Sequence, residues 1–229
     1  MQTHIVQYFL FATLACLNSG CHRSESNKDI VQSINNEKLL TYFGKARLTT
    51  YLGFAKESIK AREFSSAITF LDSCISISPD SALFHNYKGY CYHYKGFVND
   101  SKNNKIAIIN FNRAIELDNS KAKYYHNRGI CLNILEFDSD ATRDFETAAN
   151  LDSISVDYEH NKLRMKWLSN RKNALIYADS LINRFPYDGY AYYVRGQLKR
   201  DYLHKYIEGN EDIELSRKLG WNQGLNLKL

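Results

Sequence analysis

Histidine and cysteine are the side chains of this sequence that could carry chemistry, and they occur in two short groups. Cys91 and His93 stand two residues apart, and His126 and Cys131 stand five apart. A cysteine needs an oriented base to act as a nucleophile, and a zinc site needs three or four ligands. Neither group supplies such a set, even with His85 added. The chain also lacks a Gly-rich phosphate loop and the H-E-x-x-H, C-x-x-C and G-x-S-x-G motifs. The sequence therefore predicts no enzyme, no metal site and no cofactor.

The overall composition is that of an ordinary soluble helical protein. Hydrophobic residues make up 44% of the chain and charged residues 24%, there are two prolines, and the net charge is +5. Lysine and arginine are spread along the whole chain instead of being clustered in one segment. This distribution does not favour a nucleic-acid partner.

The first twenty residues differ from the rest because they contain no Asp, Glu, Lys or Arg. An apolar run from Ile5 to Leu17 is too short to span a bilayer and is typical of a signal-peptide core. The run leads into Asn18-Ser19-Gly20-Cys21 and then a polar stretch, which resembles a bacterial lipoprotein signal. The resemblance implies cleavage of residues 1–20 and lipidation of Cys21. Lipidation of Cys16, a plain secretory signal and a buried N-terminal helix are the alternatives.

The clearest regularity in the chain is a spaced set of small and aromatic residues. Ala107–Ala114 and Ala141–Ala148 both read A-x3-F-x2-A and lie 34 residues apart, and Ala67–Cys74 is a looser copy upstream. This pattern and period resemble the tetratricopeptide repeat (TPR), a helix–turn–helix unit of 34 residues. The resemblance implies an all-α helical solenoid of about five units, each stacked on the next.

The resemblance also divides the chain into segments. Residues 21–47 are predicted to form a tether and a leading helix, which runs from about Ile30 to Ala46. Residues 221–229 form a C-terminal tail. The array itself is predicted to span 48–220, with units at 48–81, 82–121, 122–155, 156–188 and 189–220.

Four local features modify this regular plan. An added segment, Phe97–Lys102, lengthens the second unit between its two helices. The fourth unit has Lys162-Leu163 where other units have a glycine in the first helix. Gly220 is predicted to cap the last helix, and Trp221 to cover the exposed end of the core.

Small residues and cysteines are predicted to pack inside the array. Gly129 would allow close approach of neighbouring helices. Cys74, Cys91 and Cys131 lie on the apolar sides of predicted helices, where a free cysteine acts as a compact apolar filler. A Cys74–Cys91 disulfide is the alternative, since spacing alone does not fix the geometry of the bond.

By resemblance to the repeat family, the first helices of the units would line a concave groove. Tyrosine supplies rigid contact area with a polar tip, and asparagine can hydrogen-bond a peptide backbone. The groove is therefore predicted to bind an extended or helical polypeptide segment, with a plain solvated surface as the alternative. Its predicted residues are Asn86, Tyr87, Tyr90, His93, Tyr94, Lys123, His126, Asn127, Ile130, Asn133, Tyr190, Tyr193, Gln197 and Arg200.

These features together predict a non-enzymatic protein-interaction scaffold, lipid-anchored in the bacterial cell envelope at the outer membrane or its periplasmic face. A secreted or periplasmic location is the alternative. The second functional hypothesis is a lipoprotein that captures a sugar or peptide for an outer-membrane transporter. Leu52 and Lys56 stand where some relatives carry a clamp for a C-terminal carboxylate. A chaperone-tail ligand is therefore not expected.

Overall fold

The computed structural model describes residues 36–95 and 100–221, and for residues 36–42 the backbone alone. The predicted signal peptide, both N-terminal cysteines, the tether and the tail beyond Trp221 lie outside these residues. Within them the fold is all-α, with ten helices and no strand, which confirms the predicted fold class. The helices are α1 (Asn36–Lys60), α2 (Phe64–Ile77), α3 (Ala82–Lys95), α4 (Ser101–Leu117), α5 (Ala122–Ile134), α6 (Asp138–Leu151), α7 (Val156–Ser169), α8 (Arg171–Arg184), α9 (Gly189–Asp201) and α10 (Tyr206–Lys218).

The helices pack in consecutive pairs, so that each pair forms one repeat. Helices α3 and α4, α5 and α6, α7 and α8, and α9 and α10 contact each other within repeats. Helix α2 joins α1 through the rings of Phe54 and Phe70, whose centroids lie 5.3 Å apart. The second helix of each repeat also packs against the first helix of the next repeat. Apolar stripes that one hairpin leaves uncovered are buried in this way.

The N-terminal helix differs from the sequence interpretation. The sequence suggests a leading helix that ends near Ala46 and a first repeat helix that begins near Leu48, whereas α1 is one continuous helix of 25 residues. Neither Gly44 nor Gly53 interrupts it, and an added Cβ at either position would meet no atom within 4 Å. The chain divides into two compact units between Thr49 and Thr50.

The repeated alanine and phenylalanine positions form the core of the array. Phe111 and Phe145 are almost fully buried, and so are the alanines on either side of each ring. A Cβ atom added to Gly129 would lie 2.9 Å from the ring of Phe145, and one added to Gly89 would lie 2.7 Å from the ring of Phe111. Glycine in the first helix therefore makes room for phenylalanine in the second.

The fourth repeat uses the opposite arrangement of sizes. Leu163 replaces the glycine and is fully buried, while Ala178 stands where the second and third repeats have phenylalanine. The two residues belong to one cluster with Ala174 and Leu181. Large and small side chains have exchanged helices, so the filled volume is conserved although the motif is broken.

The added segment of the second repeat is shorter as a loop than the sequence suggests. Ser101 and Lys102 belong to α4, which has 17 residues and so begins inside the predicted insertion. Asp100 caps this helix, since its side chain accepts hydrogen bonds from the backbone N–H groups of Lys102 at 2.9 Å and Asn103 at 3.1 Å. Residues 96–99 lie outside the described residues.

The end of α10 confirms the predicted cap. Gly220 has φ +86°, its N–H donates to the carbonyl of Arg217, and the N–H of Trp221 donates to the carbonyl of Ser216. This pair of bonds is a Schellman motif. The indole of Trp221 then lies 4.7 Å from the ring of Tyr190, centroid to centroid, and covers that end of the core as expected.

Replacing Gly196 by alanine is expected to destabilise the last repeat by about 2 kcal/mol. The new Cβ would lie 2.7 Å from the backbone oxygen of Gly209, which has no flexible end that can move away. Gly53→Ala is the matched control, because its Cβ meets nothing and alanine favours a helix by about 1 kcal/mol. Urea unfolding should therefore shift in opposite directions for the two variants. Equal shifts would contradict the close contact of α9 and α10.

Candidate interaction surface

The predicted groove residues lie on α3, α5 and α9, and the corresponding side of these helices and of α7 is called the first-helix face. Neighbouring first helices touch directly, since α3 contacts α5 and α7 contacts α9. Asn127 Nδ2 donates to Asn86 Oδ1 at 2.9 Å, which joins α3 and α5. Arg164 Nη2 donates to Asn133 Oδ1 at 2.5 Å, which joins α5 and α7. Polar side chains thus connect the face from one repeat to the next.

The end of the face at the second repeat is aromatic. Tyr90 and Tyr94 lie 4.5 Å apart, ring centroid to ring centroid, and His93 lies 4.5 Å from Tyr94. Phe64 of α2 stacks 5.9 Å from Tyr94 and completes the cluster. The sequence predicted three of these residues and missed Phe64, which belongs to a second helix.

The opposite end of the face is aromatic as well. Trp167 of α7 lies 6.3 Å from Tyr193 of α9, measured between ring centroids, and Trp221 lies at the same distance from Tyr193. Gln197 Nε2 donates to the Tyr193 hydroxyl at 3.1 Å. The sequence predicted Tyr193 and Gln197 for this surface, whereas Trp167 is an addition from the structure.

Solvent exposure divides the fourteen predicted residues into three groups. Asn86, His93 and Tyr190 are buried, with exposed fractions of 2%, 7% and 9%, so they support the surface without forming much of it. Lys123 is fully exposed. The ten half-buried residues are Tyr87, Tyr90, Tyr94, His126, Asn127, Ile130, Asn133, Tyr193, Gln197 and Arg200.

His126 is enclosed by its neighbours in the middle of the face. Its ring centroid lies 4.8 Å from that of Tyr158 and 5.9 Å from that of Phe145, and Asn161 Nδ2 lies 2.9 Å from its Nε2. Burial lowers the pKa of His126 to about 4, although the charge of Asp157 opposes this change. The imidazole is therefore neutral at neutral pH and accepts the amide hydrogen bond.

The free energy of unfolding should fall as the pH drops below the ordinary pKa of histidine. The unfolded chain takes up a proton near pH 6.5, whereas folded His126 resists it until about pH 4. As the pH falls from about 7.5 to about 5, this histidine should therefore lower the free energy of unfolding by about 2 kcal/mol. His126→Gln retains an acceptor for Asn161 and should show a flatter profile in urea unfolding. An equally steep profile for the variant would contradict the assignment.

The cysteines do not form a catalytic group. Nδ1 of His93 contacts both Asn104 Oδ1, at 2.7 Å, and Cys131 Sγ, at 3.5 Å, so one nitrogen would have to serve two partners. Burial raises the pKa of Cys91 and of Cys131 to about 12, which keeps both as thiols. Cys74, Cys91 and Cys131 are all buried and none of them is in a disulfide, so the alternative Cys74–Cys91 disulfide is not formed.

Two further properties concern the described residues as a whole. Nowhere in 36–95 or 100–221 do three His, Cys, Asp or Glu side chains come together as a metal site would require. The helices in the same ranges include none that is both long and apolar enough to cross a bilayer.

Comparison with known proteins relates this arrangement to solved structures. No protein-family model and no curated protein matches the sequence. PilF of Pseudomonas aeruginosa matches with a TM-score of 0.64 and 14% identity over 79% of both chains. MamA gives 0.63 and 15% over 73% of this chain and 94% of its own. YrrB, described as a TPR protein with an unusual peptide-binding site, gives 0.60 and 17% over 77% and 87%. These neighbours are TPR proteins.

The chain has the tetratricopeptide-repeat fold.

Arginine side chains that the sequence interpretation missed form an ion pair within their own TPR unit and also reach the preceding unit. The side chain of Arg128 binds both carboxylate oxygens of Asp144 at 2.7 Å and reaches Asn112 of the preceding repeat at 2.8 Å. In the fifth TPR unit, Arg195 likewise binds both oxygens of Asp212, at 2.7 and 2.8 Å, and reaches Asp179 of the preceding repeat at 3.0 Å. Such paired bonds are the strongest kind between these groups.

The sequence contains a repeated pattern that could have predicted these pairs. A basic residue stands directly before the first-helix glycine in three TPR units, as Lys88, Arg128 and Arg195. Lys88 completes the series, since its Nζ lies 2.6 Å from Asp72 of the first repeat. A basic charge alone does not indicate a structural role. The recurrence of a basic residue at the same position of three repeats would have indicated one for these side chains.

Proposed function

We propose that this TPR protein is a non-enzymatic interaction module whose first-helix face binds a segment of another polypeptide. The observation that carries the proposal is the set of ten half-buried side chains, mostly aromatic or amide, on the first helices α3, α5 and α9. Rings such as Tyr90 and Tyr193 offer contact area that loses little conformational freedom on binding. Amides such as Gln197 can hydrogen-bond a peptide backbone. The peptide-binding site in the description of YrrB, which has the same fold, supports this proposal by analogy.

Selection from a random dodecapeptide phage library, followed by fluorescence anisotropy with the enriched peptides, tests the proposal. Tyr90→Ala combined with Gln197→Ala should weaken binding about tenfold or more, since it removes contacts at both ends of the face. The matched control is Tyr206→Ala with Asn173→Ala, because both residues are exposed on second helices. Enrichment of no peptide, or equal weakening in both double variants, would overturn the proposal.

We further propose that the protein is attached by lipid at Cys21 to a membrane of the bacterial cell envelope, with the repeat array in the periplasm or at the outer membrane. The apolar run from Ile5 to Leu17 and the position of Cys21 support this proposal. Intact mass spectrometry of the protein from bacterial membranes should show an acyl mass that Cys21→Ser abolishes. Cys16→Ser is the control and should retain it. An unmodified mass for the native chain would contradict the anchor.

A further inference from the structure

Two arginines on the first-helix face differ from the arginines of the array that pair with a carboxylate. The guanidinium groups of Arg128, Arg184 and Arg195 each contact a carboxylate at 3.0 Å or less. Arg164 of α7 has one hydrogen bond, to the neutral amide of Asn133, and its Nε is buried without a partner. Arg200 of α9 has no hydrogen bond or ion pair among the described residues, and its Nε is also buried.

Arg164 and Arg200 are half-buried and stand at repeat positions that correspond to predicted groove residues. Arg164 follows Leu163, which occupies the position of the first-helix glycine, so Arg164 corresponds to Tyr90 of the second repeat and Ile130 of the third. Arg200 stands four residues after Gly196 and so corresponds to Asn133. Helices α7 and α9 touch each other, which places the two arginines on adjacent first helices.

Half-burial without a carboxylate is an unfavourable state for arginine. A guanidinium presents five N–H donors, and donors that lose water without gaining an acceptor cost free energy. The planar group binds a carboxylate with two parallel hydrogen bonds, which is the arrangement at Arg128 and Arg195. A carboxylate of the partner would provide Arg164 and Arg200 with the charged acceptor that the chain's own carboxylates provide to Arg128 and Arg195.

The remaining charges of the face favour the same kind of partner. Lys123 is exposed and adds a third positive charge. Asp157 lies in the first turn of α7, two turns before Arg164, and its charge acts on His126 of α5. The acidic Asp188 at the start of α9 contacts His160 at 2.8 Å. Neither carboxylate pairs with Arg164 or Arg200, so the positive charge is available to a ligand.

We propose that the polypeptide segment bound at the first-helix face is acidic, and that Arg164 and Arg200 take up its side-chain carboxylates. This proposal rests on the proposed function and adds the chemical class of the partner. Trp167 stands three residues after Arg164 and its ring contacts Tyr193 of α9, so the two rings would exclude water on binding and strengthen the charged hydrogen bonds. The aromatic end around Tyr90 and Tyr94 would receive the apolar part of the segment.

The phage selection described above, repeated with Arg164→Gln combined with Arg200→Gln, tests the proposal. The matched control is Arg143→Gln with Arg217→Gln, because these two exposed arginines pair within their own second helices, with Asp140 and Glu214. Peptides selected by the native protein should contain more Asp and Glu than Lys and Arg, whereas those selected by the Arg164/Arg200 variant should not. Circular dichroism confirms that each variant remains helical.

Anisotropy with one selected peptide, synthesised with an amidated C-terminus, measures the effect directly. Changing its Glu and Asp residues to Gln and Asn should weaken binding to the native protein about tenfold or more, and added salt should weaken only the acidic form. The Arg164/Arg200 variant should bind both forms equally weakly, while the control pair should resemble the native protein. If both forms bind the native protein equally and still depend on Tyr90 and Gln197, the acidic partner is wrong and the proposed function stands. If neither form binds, both are wrong.

Discussion

Replacing Phe145 by alanine is expected to lower the free energy of unfolding by about 4 kcal/mol. The side chain is fully buried, packs with Ala141 and Met165, and fills the space that Gly129 leaves open. Its removal leaves a cavity in the middle of the array, and the surrounding helices are tied to both neighbouring repeats and cannot collapse into it. Urea unfolding followed by circular dichroism measures the loss.

Phe137→Ala is the matched control for this variant. Phe137 immediately precedes α6, the helix of Phe145, but half of its side chain is exposed, at 51%. The same change there should cost about 1 kcal/mol or less. Equal losses at the two positions would mean that the third repeat does not depend on the packing of phenylalanine against glycine.

Replacing Glu159 by alanine should lower the free energy of unfolding by about 3 kcal/mol. A charged residue in the first turn of a helix would ordinarily be dispensable for stability. The Glu159 side chain is 3% exposed, its Oε1 lies 2.8 Å from Arg184, and its Oε2 accepts from the Tyr177 hydroxyl. Burial, with the bond to Glu159, also raises the pKa of Tyr177 far above its ordinary range. Without the carboxylate, the hydroxyl of half-buried Tyr177 loses its partner, and Arg184 keeps only its hydrogen bond to the Ser153 carbonyl.

Tryptophan fluorescence can follow this loss, because both tryptophans, Trp167 and Trp221, lie in the C-terminal half of the array. The matched control is Glu146→Ala, since Glu146 is 41% exposed and pairs with Lys166 at 3.1 Å. An exposed pair of this kind contributes about 0.5 kcal/mol. A variant of Glu159 as stable as that of Glu146 would refute the role of the buried pair.

The fold was predictable from the sequence because the residues that form its core recur at a fixed spacing. Ala141, Phe145 and Ala148 recur at the spacing of one helix face, and the structure buries each of them. A local break in the period was harder to interpret. The loss of glycine at Leu163 suggested irregular packing, but its compensation by Ala178 lies on another helix and is a fact of three-dimensional contact.

The surface was less predictable than the core. Repeat position placed Asn86 and His93 on the first-helix face, yet both are buried, because Asn127 covers one and Asn104 of α4 covers the other. Repeat position also cannot tell whether an arginine has a carboxylate partner, since the pairs link residues 16 or more positions apart. Arg164 therefore went unnoticed, and Arg200 was selected without any indication that its charge is unpaired.

The ion pairs between repeats have a consequence for how the array comes apart. Arg128 links the third repeat to Asn112 of the second, Lys166 links the fourth to Glu146 of the third at 3.1 Å, and Arg195 links the fifth to Asp179 of the fourth. In a linear array each junction contributes its own coupling to cooperativity. Because each of these junctions has a link from a charged side chain, native-state hydrogen exchange should show no separate opening of two halves between α6 and α7.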